Sequence, residues 1–504
     1  MVLKRLVRTG RLFGFLRRVR HRLFDDEFQQ ELAGMYADSP RGQLPKPPAF
    51  LAMVTLLQAY QQVSDASAVE AAVFDRRWQM VLDCNGAEEP PFSQGVLVDF
   101  RRRLVAFDMD RRLLDRTVEL AKESGLFGYK ALKVALDSSP LWGAGRVEDT
   151  FNLIGHALEV IVDCAAAILD VEPDVVQREA KLELLGGSSL KASIDIDWDD
   201  APAKAAALQR LLADVERLRT WLKLHLKDEQ KQPPLKEALA LLQRILEQDL
   251  EPDPGGGMRI REGVARDRRI SVRDPDMRHG RKSKSRVING YKRHLAKAVG
   301  TPFILAACAR SANEAEHEAA AILRPDVENH GPVIGLHIDR GYLASNWAKE
   351  LYASGKAVLC KPWPIRNGDC FPKTLFRIDL SKGLVTCPAN KKARIESGKA
   401  QFHRSDCDRC ALRMKCTRAA MGRGRSIAIH EQEAMLIGLR NLKQSPQGRQ
   451  ALRSRVTIEH SLAHVGRRQG HRARYFGARM NTLDLRRTAA VENLHALDRL
   501  QRAV

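Results

Sequence analysis

The sequence predicts an α/β protein: a mixed-sheet core preceded by an all-helical segment and interrupted by a helical insertion. Three observations carry this. At 133–139 (KVALDSS) Val134 and Leu136 alternate into a short buried strand, 333–338 is a continuous apolar strand, and each ends on an acid. Strand-like pieces at 269–272, 289–296 and 302–307 and a helical stretch near 314–323 lie between them, the alternation that builds a mixed α/β core. Helical periodicity dominates both before the first strand and from 149 to 250.

Taken in order, the first 23 residues carry Lys4, Arg5, Arg8, Arg11, Arg17, Arg18, Arg20 and Arg22 with no acid. Apolar residues run on without a small-residue cleavage site, so this reads as a basic DNA-contacting arm rather than a transit peptide. From 28 to 125 the pattern is helical, with an apolar run at 50–60, Ser64 as a helix N-cap and a further amphipathic stretch to 81. Short helices joined by tight turns are the grammar of helix-turn-helix binders. The stretch 93–104 opens on Ser93 and carries Arg101, Arg102 and Arg103, and is the expected recognition helix.

Beyond the first strand, Leu208, Leu211, Val215, Leu218 and Leu222 follow helical spacing, and so do Leu235, Leu239, Leu242 and Leu246 after the break at Gln232-Pro233-Pro234. Each stripe is shorter than the three to four heptads of a dimerising coiled coil, so the pair is expected to pack within the chain. EPDPGGG at 251–257 ends this insertion. The expected partition is a helical DNA-binding domain at 1–126, core at 127–150, helical insertion at 151–257, core at 258–380, a Cys-containing insertion at 381–425 and a C-terminal core segment at 426–504.

At 504 residues the chain exceeds a single core, and about 150 residues per domain implies about three units. The best apolar stretch, 157–171, is broken by Glu159 and Asp163, which argues against a membrane span. The net charge of +21 arises from 83 Lys and Arg against 62 Asp and Glu, an excess spread over the chain that suits a polyanionic partner. Nine cysteines in so long a chain do not form a secreted disulfide framework and point to a reducing interior.

Two buried strands that both end on an Asp can place Asp137 and Asp339 together at one sheet edge. That is what phosphoryl transfer with two divalent ions needs, together with at least one more carboxylate. By pattern alone Asp195, Asp197, Asp199, Asp274 and Asp276 also qualify.

Asp137-Ser138-Ser139 with Arg146-Val147-Glu148-Asp149-Thr150, then Asp274-Pro275-Asp276 with Gly290-Tyr291-Lys292, then Asp339-Arg340-Gly341-Tyr342, resemble successive blocks of insertion-sequence DDE transposases. Arg455-Val456-Thr457-Ile458-Glu459, followed by Ala473-Arg474-Tyr475-Phe476-Gly477 and Asn493-Leu494, resembles the Glu-bearing helix of that family, and 28–104 its N-terminal helical domain. The resemblance implies a ribonuclease-H-like core in which Asp137, Asp339 and Glu459 hold Mg²⁺ or Mn²⁺. It also implies binding to double-stranded DNA, both element ends and target, by a homodimer or higher oligomer in the bacterial cytoplasm, at the nucleoid. Two rivals are a metal-dependent nuclease of the same fold and a DNA-binding relic without activity. Many relatives carry a Tyr three residues before the Arg and a Lys seven after the Glu; here Leu452 and Gly466 stand there, with Arg467 next to the second.

Val456, Ile458, Leu462 and Val465 can form the buried face of a helix that leaves Glu459 free, and Arg455 lies on the same side four residues earlier, where it could steady the carboxylate or meet a phosphate. Between 453 and 487 nine Arg, among them Arg455, Arg467 and Arg474, face only Glu459 and Asp484, a composition suited to DNA phosphates. Cys407 and Cys410 are spaced to reach one Zn²⁺, with Cys416 and Cys387 completing the set and His403 as a replacement for Cys387; the rival is a group of reduced thiols.

Overall fold

The computed structural model describes residues 10–36, 45–128, 130–185, 190–282 and 285–503. Lys4, Arg5 and Arg8 of the basic N-terminal stretch lie outside them. The rest of that stretch is not a free arm. It forms the helix Arg11–Leu23, whose Leu12, Phe13, Phe15, Leu16, Val19 and Leu23 are buried, while Arg17 and Arg20 both reach Asp83, at 2.6 and 2.8 Å.

Six further helices follow before the first strand: Asp26–Ala33, Pro48–Gln61, Asp65–Phe74, Arg76–Leu82, Gln94–Ala106 and Met109–Glu123. The expected caps form. Ser64 accepts from the Ser67 amide and Ser93 from the Val96 amide, each satisfying a donor that the helix leaves orphaned.

The central sheet is built on β1 (Leu132–Trp142), longer than the apolar run predicts. After the hairpin β2 (Leu250–Pro252) and β3 (Met258–Ile260) come β4 (Arg278–Arg281), β5 (Val287–Ala298), β6 (Ile304–Ser311), β7 (Val333–His337) and β8 (Ala357–Leu359). The order is β4-β5-β1-β7-β8, with β6 also paired to β5. β5 runs antiparallel to β1, whereas β7 is parallel to β1 and β8 to β7. The stretch 269–272, expected as a strand, contributes only the isolated bridge between Arg269 and Arg278. Its Arg269 side chain instead donates to the carbonyls of Ser271 and Val272, closing a local turn.

The insertion packs Thr150–Leu169 against Ala201–His225 and Leu235–Asp249 in a core of its own. Both leucine stripes serve this core: Leu208, Leu211, Val215, Leu218, Leu222, Leu235 and Leu242 are buried in it. Thr150–Leu169 is long and apolar enough to cross a membrane, and its Leu153, Ile154, Leu158, Ile161 and Val162 are buried in the same core. The stretch EPDPGGG is the turn of the β2–β3 hairpin rather than a plain linker, with the Asp253 amide donating to the Gly257 carbonyl at 3.0 Å. A second small sheet, β9 (Arg377–Asp379), β10 (Leu384–Thr386), β11 (Lys392–Glu396), β12 (Lys399–Gln401) and β13 (Ser426–Ala428), carries the cysteine block.

The chain ends in Val456–Gln469 and the long helix Ala478–Gln501, much of which is buried between the sheet and the N-terminal helices. Ion pairs reinforce that junction: Arg479 reaches Asp108 at 3.3 Å and Arg486 reaches Asp108, Asp110 and Asp326 at 3.0, 3.2 and 3.4 Å.

This packing corrects the expected recognition surface. Arg101 is 4% exposed. Its guanidinium donates to both oxygens of Asp65, at 2.7 and 2.5 Å, and lies over the Tyr475 ring. It is a structural ion pair and not a DNA contact, because the face that carries it, with Leu97, Phe100 and Leu104, is the buried one. Arg103 rests on the Tyr36 ring at 4.6 Å, and Arg102 alone of the three is exposed, with Asp99 at 3.3 Å. Arg101→Ala should therefore cost about 2–3 kcal/mol in urea unfolding by stranding Asp65, whereas Arg102→Ala should leave the midpoint within about 0.5 kcal/mol. Equal, small effects of the two substitutions would show that the Asp65 pair does not hold the helices.

Candidate active site

The register of β1 on β7 sets the first two acids side by side. Ala135 pairs with His337 across these parallel strands. Asp137, in the middle of β1 rather than at its end, and Asp339, just past β7, each lie two residues further along, so both stand at the same level. Leu132, Val134, Ala135 and Leu136 are buried, and Asp137 is the first residue of β1 that the groove reaches. After β7, Ile338 stays tied to the sheet through its amide and the Leu359 carbonyl at 2.9 Å.

Glu459 arrives from the opposite end of the chain. Val456–Gln469 buries Ile458, Leu462 and Val465 against the core, and Glu459, one position on from Ile458, is half exposed. Arg455 stands at the start of this helix. Its Nη1 donates to Asp137 Oδ2 at 2.9 Å and its Nη2 to Glu459 Oε1 at 2.8 Å. One guanidinium thus holds two carboxylates that are far apart in sequence. Asp137, Asp339, Glu459 and Arg455 all line one groove of about 990 Å³.

Burial pushes the Asp137 carboxyl up from its ordinary value, and the charges of Asp339 and Glu459 push the same way; Arg455 and the Ser138 amide oppose them. Arg455 thus bridges two of the three acids, and the third, Asp339, acts on Asp137 through its charge. Carboxylate oxygens of this kind are the donors that suit a hard divalent cation. Among the described residues no group of three or more His, Cys, Asp or Glu stands in a metal-holding arrangement.

A fourth carboxylate lines the groove that sequence reasoning did not single out. Glu316, at the start of the helix Glu316–Glu328, accepts from Ser138 Oγ at 2.6 Å. A side chain at Gly341 would occupy the place of its carboxylate, so glycine follows Arg340 because Glu316 fills that space. The signal in the sequence is only an acid in a first helical turn, which ordinarily means a favourable dipole contact.

The groove's basic lining was also missed. Arg281, Lys282, Arg286, Lys292 and Arg293 come from β4, β5 and the turn between them and join Arg467. Arg293 is buried and donates to the Pro140 and Gly470 carbonyls at 2.7 and 2.9 Å; burial lowers it to about 10. The C-terminal arginines differ in role. Arg467 is exposed in the groove. Arg474 donates to the carbonyls of Val63 and Gln62 at 3.0 and 3.3 Å, and Arg487 is buried against Asp484 at 2.6 Å. The basic run is thus only in part a surface.

Asp274 and Asp276 lie elsewhere. Asp274 is fully buried and accepts from the Tyr291 hydroxyl and, at 3.0 Å, from the Gly477 amide. Asp276 accepts from the Ala478 amide at 2.8 Å. Together they tie the start of the last helix to β5. Gly290 has φ 148°, and a Cβ there would collide with the Gly143 amide as β1 and β5 cross closely.

Cys387, Cys407, Cys410 and Cys416 line one small pocket. The Cys416 thiol is pushed up by burial and by the nearness of the other three sulfurs, with Arg425 opposing. All four are free thiols, as are Cys360 and Cys370, and His403 caps a short helix instead, accepting from the Ser405 amide.

Comparison with known families adds two findings. Residues 2–103 match a transposase domain (DUF772), and residues 384–497 match a transposase DDE domain. The two matches support an insertion-sequence DDE transposase. The second covers the cysteine block, Arg455 and Glu459, while Asp137 and Asp339 lie outside both matched stretches. No curated protein and no solved structure matches the chain.

Two buried histidines support the floor of the site. Burial lowers His294 to about 3 and His337 to about 4, each with help from nearby Lys or Arg. Both are therefore neutral in the fold. Tyr342, whose phenol burial raises well above its ordinary range, donates to His294 Nδ1 at 2.6 Å. Unfolded histidine takes up its proton first as pH falls below about 6.5, so the stability these rings contribute is full above that pH and declines below it. His294→Asn should make the unfolding free energy, measured in urea between about pH 6 and about pH 4.5, fall less steeply by about 1.4 kcal/mol per pH unit. An unchanged slope would mean that His294 is protonated in the folded chain.

Proposed function

We propose that the chain is a DNA transposase that cuts at the ends of an insertion sequence and joins the 3′ ends to target DNA, with Asp137, Asp339 and Glu459 as the acids of a ribonuclease-H-like core. The observation that carries this reading is the gathering of these three acids, from three distant parts of the chain, in one groove lined by arginine and lysine. The sheet order, with β1 between an antiparallel and a parallel partner, agrees with it.

The oxygen donors suit Mg²⁺ or Mn²⁺. Divalent ions held by Asp137, Asp339 and Glu459 would activate the attacking hydroxyl and stabilise the leaving oxygen of an in-line displacement at phosphorus. The chain's own part is positional. Arg455 keeps Asp137 and Glu459 facing one another, the Ser138 amide fixes the rotamer of Asp137 at 2.8 Å, and Glu316 holds Ser138. Arg467 and the basic edge of β4 and β5 face the DNA phosphates, with Arg102 on the N-terminal helices.

On this reading residues 1–126 form the DNA-binding unit, 127–150, 258–380 and 426–504 the catalytic core, and 151–257 and 381–425 its insertions. The protein works on double-stranded DNA in the bacterial cytoplasm, at the nucleoid, as a homodimer or higher oligomer on its DNA. The four thiols of the cysteine block are a soft donor set that takes one structural Zn²⁺.

Asp339→Asn keeps the side chain's shape and removes the charge that binds the cation. Mg²⁺-dependent cleavage and strand joining should fall below detection, while gel shifts with element-end duplexes persist. Undiminished cleavage would overturn the acid assignment, and hydrolysis without joining in the unmodified protein would reduce the function to that of a nuclease. Metal analysis of the purified full-length chain should find about one Zn per chain. Absence of zinc, with all four thiols modified readily in the folded state, would make the cysteine block a metal-free minidomain.

A further inference from the structure

The helix Val456–Gln469 separates two openings. Glu459, Ala463 and Arg467 line the catalytic groove, whereas His460, Ser461, His464 and Arg468 line a second cavity of about 680 Å³ on the other side. The far wall of this cavity comes from the end of β5 with Lys297 and from the last helix with Glu492, Asp498, Arg499 and Arg502.

Its charges do not balance. Arg468 is paired with Glu492 at 2.7 Å, and Arg502 donates to Asp498 at 3.0 Å. Lys297 and Arg499 form no ion pair among the described residues. Lys297 is 6% exposed, and its ammonium donates only to the Thr457 carbonyl at 3.1 Å and Ser461 Oγ at 2.9 Å. An ammonium has three N–H donors, so one is left over. Burying such a cation without a counter-charge is costly. Burial, with Arg499 close by, accordingly lowers Lys297 to about 8. The cavity thus combines an unpaired buried ammonium, an unpaired guanidinium, a serine hydroxyl and three imidazoles, those of His460, His464 and His495, a set suited to a multivalent oxyanion.

We propose that this cavity is a phosphate-binding site, distinct from the catalytic groove, in which Lys297 and Arg499 receive a phosphate group of the DNA backbone. Free phosphate presents the same chemistry, and the experiment separates the two. The site holds whether or not the acids across the helix cut DNA. Lys297 grips the residues two before and two after Glu459, so its occupant bears on the helix that carries the acid.

Thermal unfolding of the full-length protein is followed against inorganic pyrophosphate at constant ionic strength, together with binding of a duplex oligonucleotide across a salt series. The unmodified protein should show a saturable rise in Tm, and Asp339→Asn should show the same rise. Lys297→Met, which keeps the side chain's length, and Arg499→Gln, on the exposed end of the last helix, should each lose most of the rise. If both variants also bind the duplex more weakly, with a salt slope lower by about one ion, the site takes the DNA backbone. Loss of the pyrophosphate response with unaltered duplex binding assigns it to free phosphate. The proposal is overturned if no saturable rise occurs and duplex binding is unaltered in the variants, or if Lys297→Met and Arg499→Gln respond to both ligands as the unmodified protein does. Should Lys297→Met fail to fold, Arg499→Gln decides alone.

Discussion

Three carboxylates brought to one sheet edge repel one another and lose hydration as they approach, and in this chain the guanidinium of Arg455 is what makes their meeting affordable. It lies between Asp137 and Glu459 within hydrogen-bond distance of both. To stand there it must sit at the start of a helix docked on β1, and the docking is supplied by Ile458, Leu462 and Val465 on the helix and by the buried strand residues beneath them. The parallel pairing of β1 with β7 then adds Asp339 at the same level. Burial, with the charges of Asp339 and Glu459, still raises the Asp137 carboxyl against the pull of Arg455, a kind of perturbation that clusters at functional sites.

The parts legible in the sequence are those whose signal is local. Val134 and Leu136, with Asp137 directly after, and the run ending at Asp339 announce buried strands that deliver acids, and Ile458, Leu462 and Val465 announce the face that leaves Glu459 free, whereas Val456, expected on that face, is 45% exposed. Ser64 and Ser93 announce helix starts for the same reason, since a cap bonds a neighbour three residues away. What was illegible depends on partners distant in sequence. Nothing near Arg101 says that Asp65 will meet it, so a triplet of arginines reads as a surface. Glu316 gains its place only through Ser138, on a different strand. The strands β9, β10, β12 and β13, each of three residues, are too short to show a period of two.

The distribution of charge shows why composition alone misplaces a nucleic-acid surface. A net charge of +21 suggests basic faces throughout. Yet Arg101, Arg116, Arg486 and Arg487 are buried, each in contact with an acid inside the fold. Arg116, for example, reaches Asp25 at 2.6 Å and Glu123 at 2.7 Å, binding the second and last of the N-terminal helices together. Such pairs are expensive to break and contribute little to long-range attraction, since each cation is neutralised where it stands. The attraction for a polyanion is carried by those cations that the fold leaves beside an opening.

Those cations border both sides of the Glu459 helix, and the helix cannot shift independently of either wall. On one side it is tied by Arg455 to β1, and on the other by Lys297 to β5 through the Thr457 carbonyl. The N-terminal helices share a single apolar core with the sheet and with Ala478–Gln501, and Arg486 crosses that boundary to Asp108 and Asp110. One packed core therefore carries the exposed Arg102, the groove of acids and the second basic cavity. On the proposed function, a duplex that engaged more than one of them would have to fit their placement or bend to it, so that DNA shape as well as charge would enter recognition.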